Sequence, residues 1–240
     1  MRVFLNPLIL LVFTSGCTFS MANQTLRTQK ESVPAAGLTM ARLETGAGSL
    51  TINGQRGAST IEVFAEYKAA IQSESDAERI LNNLKLTMEV RGSTFYLKSE
   101  QLQSWNWGNS GRIDLTITLP PSLSLEVNDG SGSIMITGMD RPITIEDGSG
   151  EIEVDHVRGN LRIDDGSGEI RILDIDGDVD VSDRSGEITV RRVEGSVHIR
   201  DGSGGIEVED VSGDLIIPDE GSGSLRYRDI RGRVDVPKRR

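Results

Sequence analysis

Asp147-Gly148-Ser149-Gly150-Glu151-Ile152-Glu153-Val154-Asp155-His156-Val157-Arg158-Gly159-Asn160-Leu161-Arg162-Ile163-Asp164 is one copy of a phrase that recurs six times between Asp129 and Pro237. Its opening D-G-S-G stands also at Asp129, Asp165 and Asp201, with D-R-S-G at Asp183 and E-G-S-G at Glu220. The openings follow one another at 18 residues, except the last at 19, where Asp219 is the inserted residue. A fixed period of this size marks an architecture of stacked repeats.

Within each copy, counted from its Asp, position 6 is aliphatic (Ile134, Ile152, Ile170, Ile188, Ile206, Leu225). Position 8 is Ile136, Val154, Ile172, Val190, Val208 or Tyr227, and position 11 is Met139, Val157, Ile175, Val193, Val211 or Ile230. Positions 15 and 17 complete the set, as in Leu161 with Ile163. The alternation predicts two short strands per repeat. They are separated by the D-G-S-G turn and by a second turn carrying Gly159, Gly177, Gly195, Gly213 or Gly232. Asp-Gly turns also suit antiparallel hairpins, but a meander would leave one apolar face uncovered. In a solenoid the two half-rungs cover each other across about 10 Å. One rung offers about five aliphatic side chains, too few to offset the ordering of its backbone, so rungs must stack. The expected fold is all-β, a two-sheet parallel β-solenoid with 18-residue rungs and a small N-terminal capping insertion containing one helix. Glu153 should stack on Arg171, and Arg158 on Asp176.

Residues 38–122 read as a less regular β part. Ser49-Leu50-Thr51-Ile52 and Thr60-Ile61-Glu62-Val63 look like an early rung. Residues 75–84 predict a helix capped by Ser75, with Ile80, Leu81 and Leu84 on one face. Residues 84–90 and 94–98 predict a hairpin, and residues 113–119 a strand. Residues 123–237 are the solenoid proper, and 238–240 a basic tail that, with Pro237, blunts the terminal edge.

The beginning of the chain reads as an address. Residues 1–16 carry Arg2, an apolar run of about eleven residues and the small Ser15 and Gly16, the pattern of an export signal too short to span a bilayer. Thr14-Ser15-Gly16-Cys17 resembles the lipobox of bacterial lipoproteins, departing from it at Thr14, where leucine is usual. The resemblance implies lipidation of Cys17, and Thr18 after it favours the outer membrane. Residues 17–37 then read as lipidated cysteine plus flexible tether. Cys17 is the single cysteine, so no disulfide forms within the chain. The net charge of −11, or −12 without residues 1–16, argues against nucleic-acid binding.

Ser149-Gly150-Glu151-Ile152, Gly159-Asn160-Leu161-Arg162-Ile163 and Ser185-Gly186-Glu187-Ile188 resemble a bacterial family of β-strand-repeat domains of unknown function that carries the name of adhesins. The resemblance covers roughly residues 38–237 and implies an exported or membrane-anchored solenoid. It brings no catalytic residues to carry over.

The chemistry-bearing candidates are few. Asp129, Asp147, Asp165, Asp183 and Asp201, with Glu220, form a column spaced about 4.8 Å apart in a solenoid. Such a column would either cap its turns through the amides two residues on or hold a hard cation such as calcium. The turn serines suggest a hydroxyl ladder, not nucleophiles, because neither His156 nor His198 has reason to sit beside one. The two histidines form no metal set, and no carboxylate pair has the distinct settings of a polysaccharide-cleaving enzyme. Trp105 and Trp107 could stack on sugar rings or plug the open end of the core. The resulting expectation is a non-enzymatic, lipid-anchored envelope module of adhesin or scaffold type without cofactor. Its partners would be the membrane and a glycan or another envelope protein. The alternatives are a periplasm-facing accessory and a polysaccharide-processing enzyme.

Overall fold

The computed structural model describes residues 24–69, 74–102 and 111–237. In chain order the N-terminal part holds β1 (Gln24–Pro34), β2 (Met40–Ala47), β3 (Leu50–Gly54), β4 (Thr60–Ala69), α1 (Glu74–Asn83), β5 (Leu84–Arg91), β6 (Thr94–Gln101) and β7 (Gly111–Leu119). The repeats hold β8 (Ser124–Ser131), β9 (Ile134–Met139), β10 (Ile143–Asp147), β11 (Ile152–Val157), β12 (Leu161–Asp165), β13 (Gly168–Ile175) and β14 (Val179–Asp183). They continue through β15 (Gly186–Val193), β16 (Val197–Asp201), β17 (Ile206–Val211), β18 (Leu215–Asp219), β19 (Leu225–Ile230) and β20 (Val234–Asp235).

From β8 onward the chain alternates between two sheets, and each strand pairs in parallel with the strand one repeat away. Ile152 stands opposite Ile134 and Ile170, and Leu161 opposite Ile143 and Val179. The solenoid with its 18-residue rung is therefore the fold. Each rung turns the aliphatic positions 6, 8, 11, 15 and 17 inward, and from Ile134 to Ile217 they form one continuous buried core.

The step from position 8 to position 11 breaks strict alternation, and the backbone shows how. Position 10 is left-handed in every copy: His156, Asp174, Arg192, Asp210 and Asp229 have φ between 54° and 58°, and Gly138 has 76°. Register jumps accordingly from Asp155 opposite Leu173 to Val157 opposite Ile175. One residue bulges out, and position 11 returns to the core.

The N-terminal part departs from chain order. The rung made by β2 and β3 is inserted between β6–β7 and β8–β9, pairing in parallel with both. The stretches at residues 49–52 and 60–63 do not form one rung. β4 lies in the same sheet as β3, beyond β7 and antiparallel to it.

The tether expected up to residue 37 is also corrected, because residues 24–34 are β1, paired antiparallel with β4 along its length. Alternate β1 residues Arg27, Gln29 and Glu31 oppose Tyr67, Ala65 and Val63. The Arg27 guanidinium lies 3.7 Å over the Tyr67 ring, and the Tyr67 hydroxyl donates to Gln29 Oε1 at 2.8 Å. A polar strand thus closes an apolar edge, which a search for hydrophobic alternation does not register.

The helix begins one residue before Ser75, which lies inside it. α1 touches β1, β4 and β5, so it bridges the N-terminal edges of both sheets. Its Ile80 is buried so closely on Gly111 that a Cβ there would lie 2.4 Å from Ile80 Cγ2. The hairpin β5–β6 forms as expected. At the other end, the last rung is uncovered among the described residues: Tyr227 and Val234, at inward positions, are 45% and 37% exposed. The two-residue β20 and the arginines 226 and 228 on β19 blunt that edge.

Candidate functional site

The strands of the second sheet run inward-outward through Ile143 and Ile145, and two residues further the same parity delivers Asp147 to the inside. The same step places Asp129, Asp165, Asp183 and Asp201, and all five carboxyls are buried, none more than 8% exposed. In-register pairing stacks them from Asp129 to Asp201 without a break. At the N-terminal end Thr45 stands in register with Asp129 and donates its hydroxyl to Asp129 Oδ1. At the other end the inserted residue shifts the register. There Asp219, not Glu220, pairs opposite Arg200 and accepts the amide two residues on, from Gly221 at 3.0 Å.

Asp165, Asp183 and Asp201 cap their turns on one oxygen only. The amides of Ser167, Ser185 and Ser203 donate to Oδ1 of Asp165, Asp183 and Asp201 at 3.3, 3.0 and 3.1 Å. The second oxygen of Asp129, Asp165, Asp183 and Asp201 has no hydrogen-bond partner, and at Asp147 neither oxygen has one. Burial, reinforced by the charges of Asp129 and Asp165, pushes Asp147 up to about 6. The amides of Gly148 and Ser149 oppose that rise without reaching hydrogen-bonding geometry. Burial likewise pushes Asp183 up to about 6, with Asp165 and Asp201 adding to it. Asp129, Asp165 and Asp201 also lie above the ordinary range, burial being the main cause in each.

This donor set does not fit calcium. The ion takes six to eight oxygens, waters among them. Here one oxygen of most carboxyls is committed to a backbone amide, the other is sealed from solvent, and the side chains around are aliphatic. The column works first as the turn cap, and the signal for its burial was present in the repeat. Position 1 lies two residues beyond inward position 17, so parity alone sends it inside.

Two of the turn serines send their hydroxyls to backbone carbonyls, not to one another. Ser185 Oγ and Ser203 Oγ donate to the carbonyls of Gly166 and Arg184 on the preceding corner, at 3.5 Å each. His198 lies by Asp180, while His156 Nδ1 lies 2.7 Å from Asp155 Oδ1 and Nε2 3.7 Å from Asp174 Oδ2. The 18-residue register thus gathers Asp155, His156 and Asp174 into a group of metal-ligand type that spacing along the chain does not suggest. Asp174, however, is gripped by both Nε and Nη2 of Arg192, which holds its carboxyl below the usual range. A divalent ion would share that carboxylate with a guanidinium, so the group reads as one column of alternating charge. Elsewhere on the outer faces Arg162 pairs with Asp180, Arg191 with Glu207 and Arg158 with Asp140 and Asp176. Arg171, in register with Glu153 as expected, turns instead to Glu151 and Glu169. Cys17, Trp105 and Trp107 lie outside the described residues.

Among curated proteins none matches the chain. Several solved structures resemble it. A candidate adhesin from Bacteroides fragilis NCTC 9343 is 12% identical, with 92% of this chain and 100% of that chain covered and a TM-score of 0.34. A candidate adhesin from Parabacteroides merdae ATCC 43184 is 7% identical, with 88% and 96% covered and a TM-score of 0.39. A candidate lipid-binding protein from Parabacteroides distasonis ATCC 8503 is 15% identical, with 88% and 97% covered and a TM-score of 0.37. Residues 50–229, from β3 through β19 short of its last residue, match the family described as Toastrack DUF4097, and the chain belongs to that family.

Proposed function

We propose that this protein is a non-enzymatic binding or scaffold module of the bacterial cell envelope, held to the outer membrane by a lipid on Cys17. The observation that carries the reading is the pair of long outer sheet faces, on which each rung repeats charged side chains in columns. Such faces suit an extended partner, a glycan or another envelope protein, met by many weak contacts at once. The buried carboxyls are turned away from these faces and lack any substrate-sized access, which supports a binding role over turnover. Trp105 and Trp107 are proposed as a further contact for sugar rings.

Protease treatment of intact and permeabilised cells tests the reading. Cleavage on intact cells supports adhesion at the surface. Protection until permeabilisation rejects adhesion and leaves a periplasm-facing accessory, whose partner cross-linking would capture. Cys17→Ala should release the protein from the membrane fraction. Glycan binding lost in Trp105→Ala plus Trp107→Ala with an unchanged Tm identifies a tryptophan contact, whereas a fall in Tm identifies an end plug.

A further inference from the structure

We propose that the aspartate column of the D-G-S-G corner is a shared-proton ladder, in which Asp147 and Asp183 carry one proton each and each donates it to the orphaned oxygen of one ionised neighbour, Asp147 to Asp129 or Asp165 and Asp183 to Asp165 or Asp201. Five carboxyls lie in register along one corner, sealed from water. Four of them have one oxygen without a partner, and Asp147 has two. Orphaned acceptors in a dry corner need donors, because an unpaired buried polar group is costly. The described side chains supply one, the Thr45 hydroxyl, and it satisfies only Asp129 Oδ1. Protons can supply further donors: a protonated carboxyl donates once, and an ionised neighbour is its acceptor.

Alternation follows from the stacking. Asp147, Asp165 and Asp183 each lie between two carboxyls of the column, and protons on the second and fourth members, Asp147 and Asp183, are the smallest set that leaves no two ionised carboxyls adjacent. These are the two groups pushed up to about 6. The other charged groups felt by the column are few. Asp164 and Arg184 act on Asp165 in opposite directions, and Asp219 acts on Asp201. The facing strands present aliphatic side chains. In the unfolded chain these aspartates titrate near 3.8. Their raised folded values therefore add stability that is fully present below about pH 4 and is lost as pH rises through about 6.

The test is a site-resolved carboxyl 13C NMR titration of the full chain, joined to melting curves from pH 5 to 7.5. Asp147 and Asp183 should titrate near pH 6, and Tm should fall as pH rises across that range. Asn donates and accepts without a charge, so Asp147→Asn and Asp183→Asn should each raise Tm at pH 7.5, by about 2–4 °C. The double variant should lose most of the pH dependence, while Asp176→Asn on the exposed turn should keep it. The proposal is overturned if all five carboxyls titrate below about pH 4.5, or if the double variant keeps the full pH profile. The NMR arm reads the wild-type protein, so it decides the matter even where a variant fails to fold.

Discussion

At the residue scale the repeat is set by what each corner can hold. Position 4 of the turn is glycine in every copy because corners stack backbone on backbone. A Cβ on Gly168 would lie 1.6 Å from the Gly150 carbonyl oxygen, and φ there is 151°. No small adjustment relieves a contact with backbone, so Gly168→Ala should cost about 3 kcal/mol or more. Gly57 makes the comparison: φ is 83° but nothing lies within 4 Å of a Cβ. Gly57→Ala should cost only the left-handed strain, about 1–2 kcal/mol. Chemical denaturation of the two variants checks the difference, and equal losses would refute the stacking argument. The same corner explains what the sequence reading understated about the aspartates. Turn chemistry accounts for one oxygen of Asp165, Asp183 and Asp201, and only the parity of the preceding strand shows that the other is buried.

At the element scale the lesson lies in β1. Of its residues Leu26 and Val33 are apolar and pack on the core, while Arg27, Gln29 and Glu31 face the same edge. Periodicity reads such a stretch as a linker, yet it covers Ile61, Val63, Ala65 and Tyr67 on β4. The reason is the partner: a cation over a buried aromatic ring, a hydroxyl bonded to an amide oxygen and a full backbone ladder replace hydrophobic alternation. A chain without residues 24–34 should expose the β4 edge, melt at a lower temperature and self-associate. Light scattering against concentration measures this, and an unchanged monomer with unchanged Tm would show β1 to be dispensable. The bulge at position 10 was legible as a spacing of three between inward positions 8 and 11. Its left-handed backbone carried a signal as well, because Gly138, His156, Asp174, Asp210 and Asp229 are of the residue types that adopt it most readily, and Arg192 alone is not.

For the whole molecule, stability is the sum of rungs, each covered by its neighbours. The aliphatic core runs the length of the repeats, and the aspartate column beside it lacks the oxygen set of a calcium site. Melting curves with calcium and with chelator should therefore coincide; a rise of several degrees with calcium would reinstate the column as a cation site. The charge columns on the outer faces contribute little individually, since exposed ion pairs are worth about 0–1 kcal/mol. They present both signs at the spacing of the rungs along the outer faces.

The 18-residue period, inward aliphatics and turn glycines determined the solenoid from sequence alone, because each rung obeys the same local rules and meets a copy of itself. The helix and the β5–β6 hairpin were legible for the same reason, as strong local patterns. Only the tertiary structure decided the order of the N-terminal strands, since β2–β3 slots between elements that follow it in the chain. It alone also decided the role of β1 and the gathering of Asp155, His156 and Asp174. Those depend on which strand lies alongside, and that neighbour is fixed by the stacking of the whole.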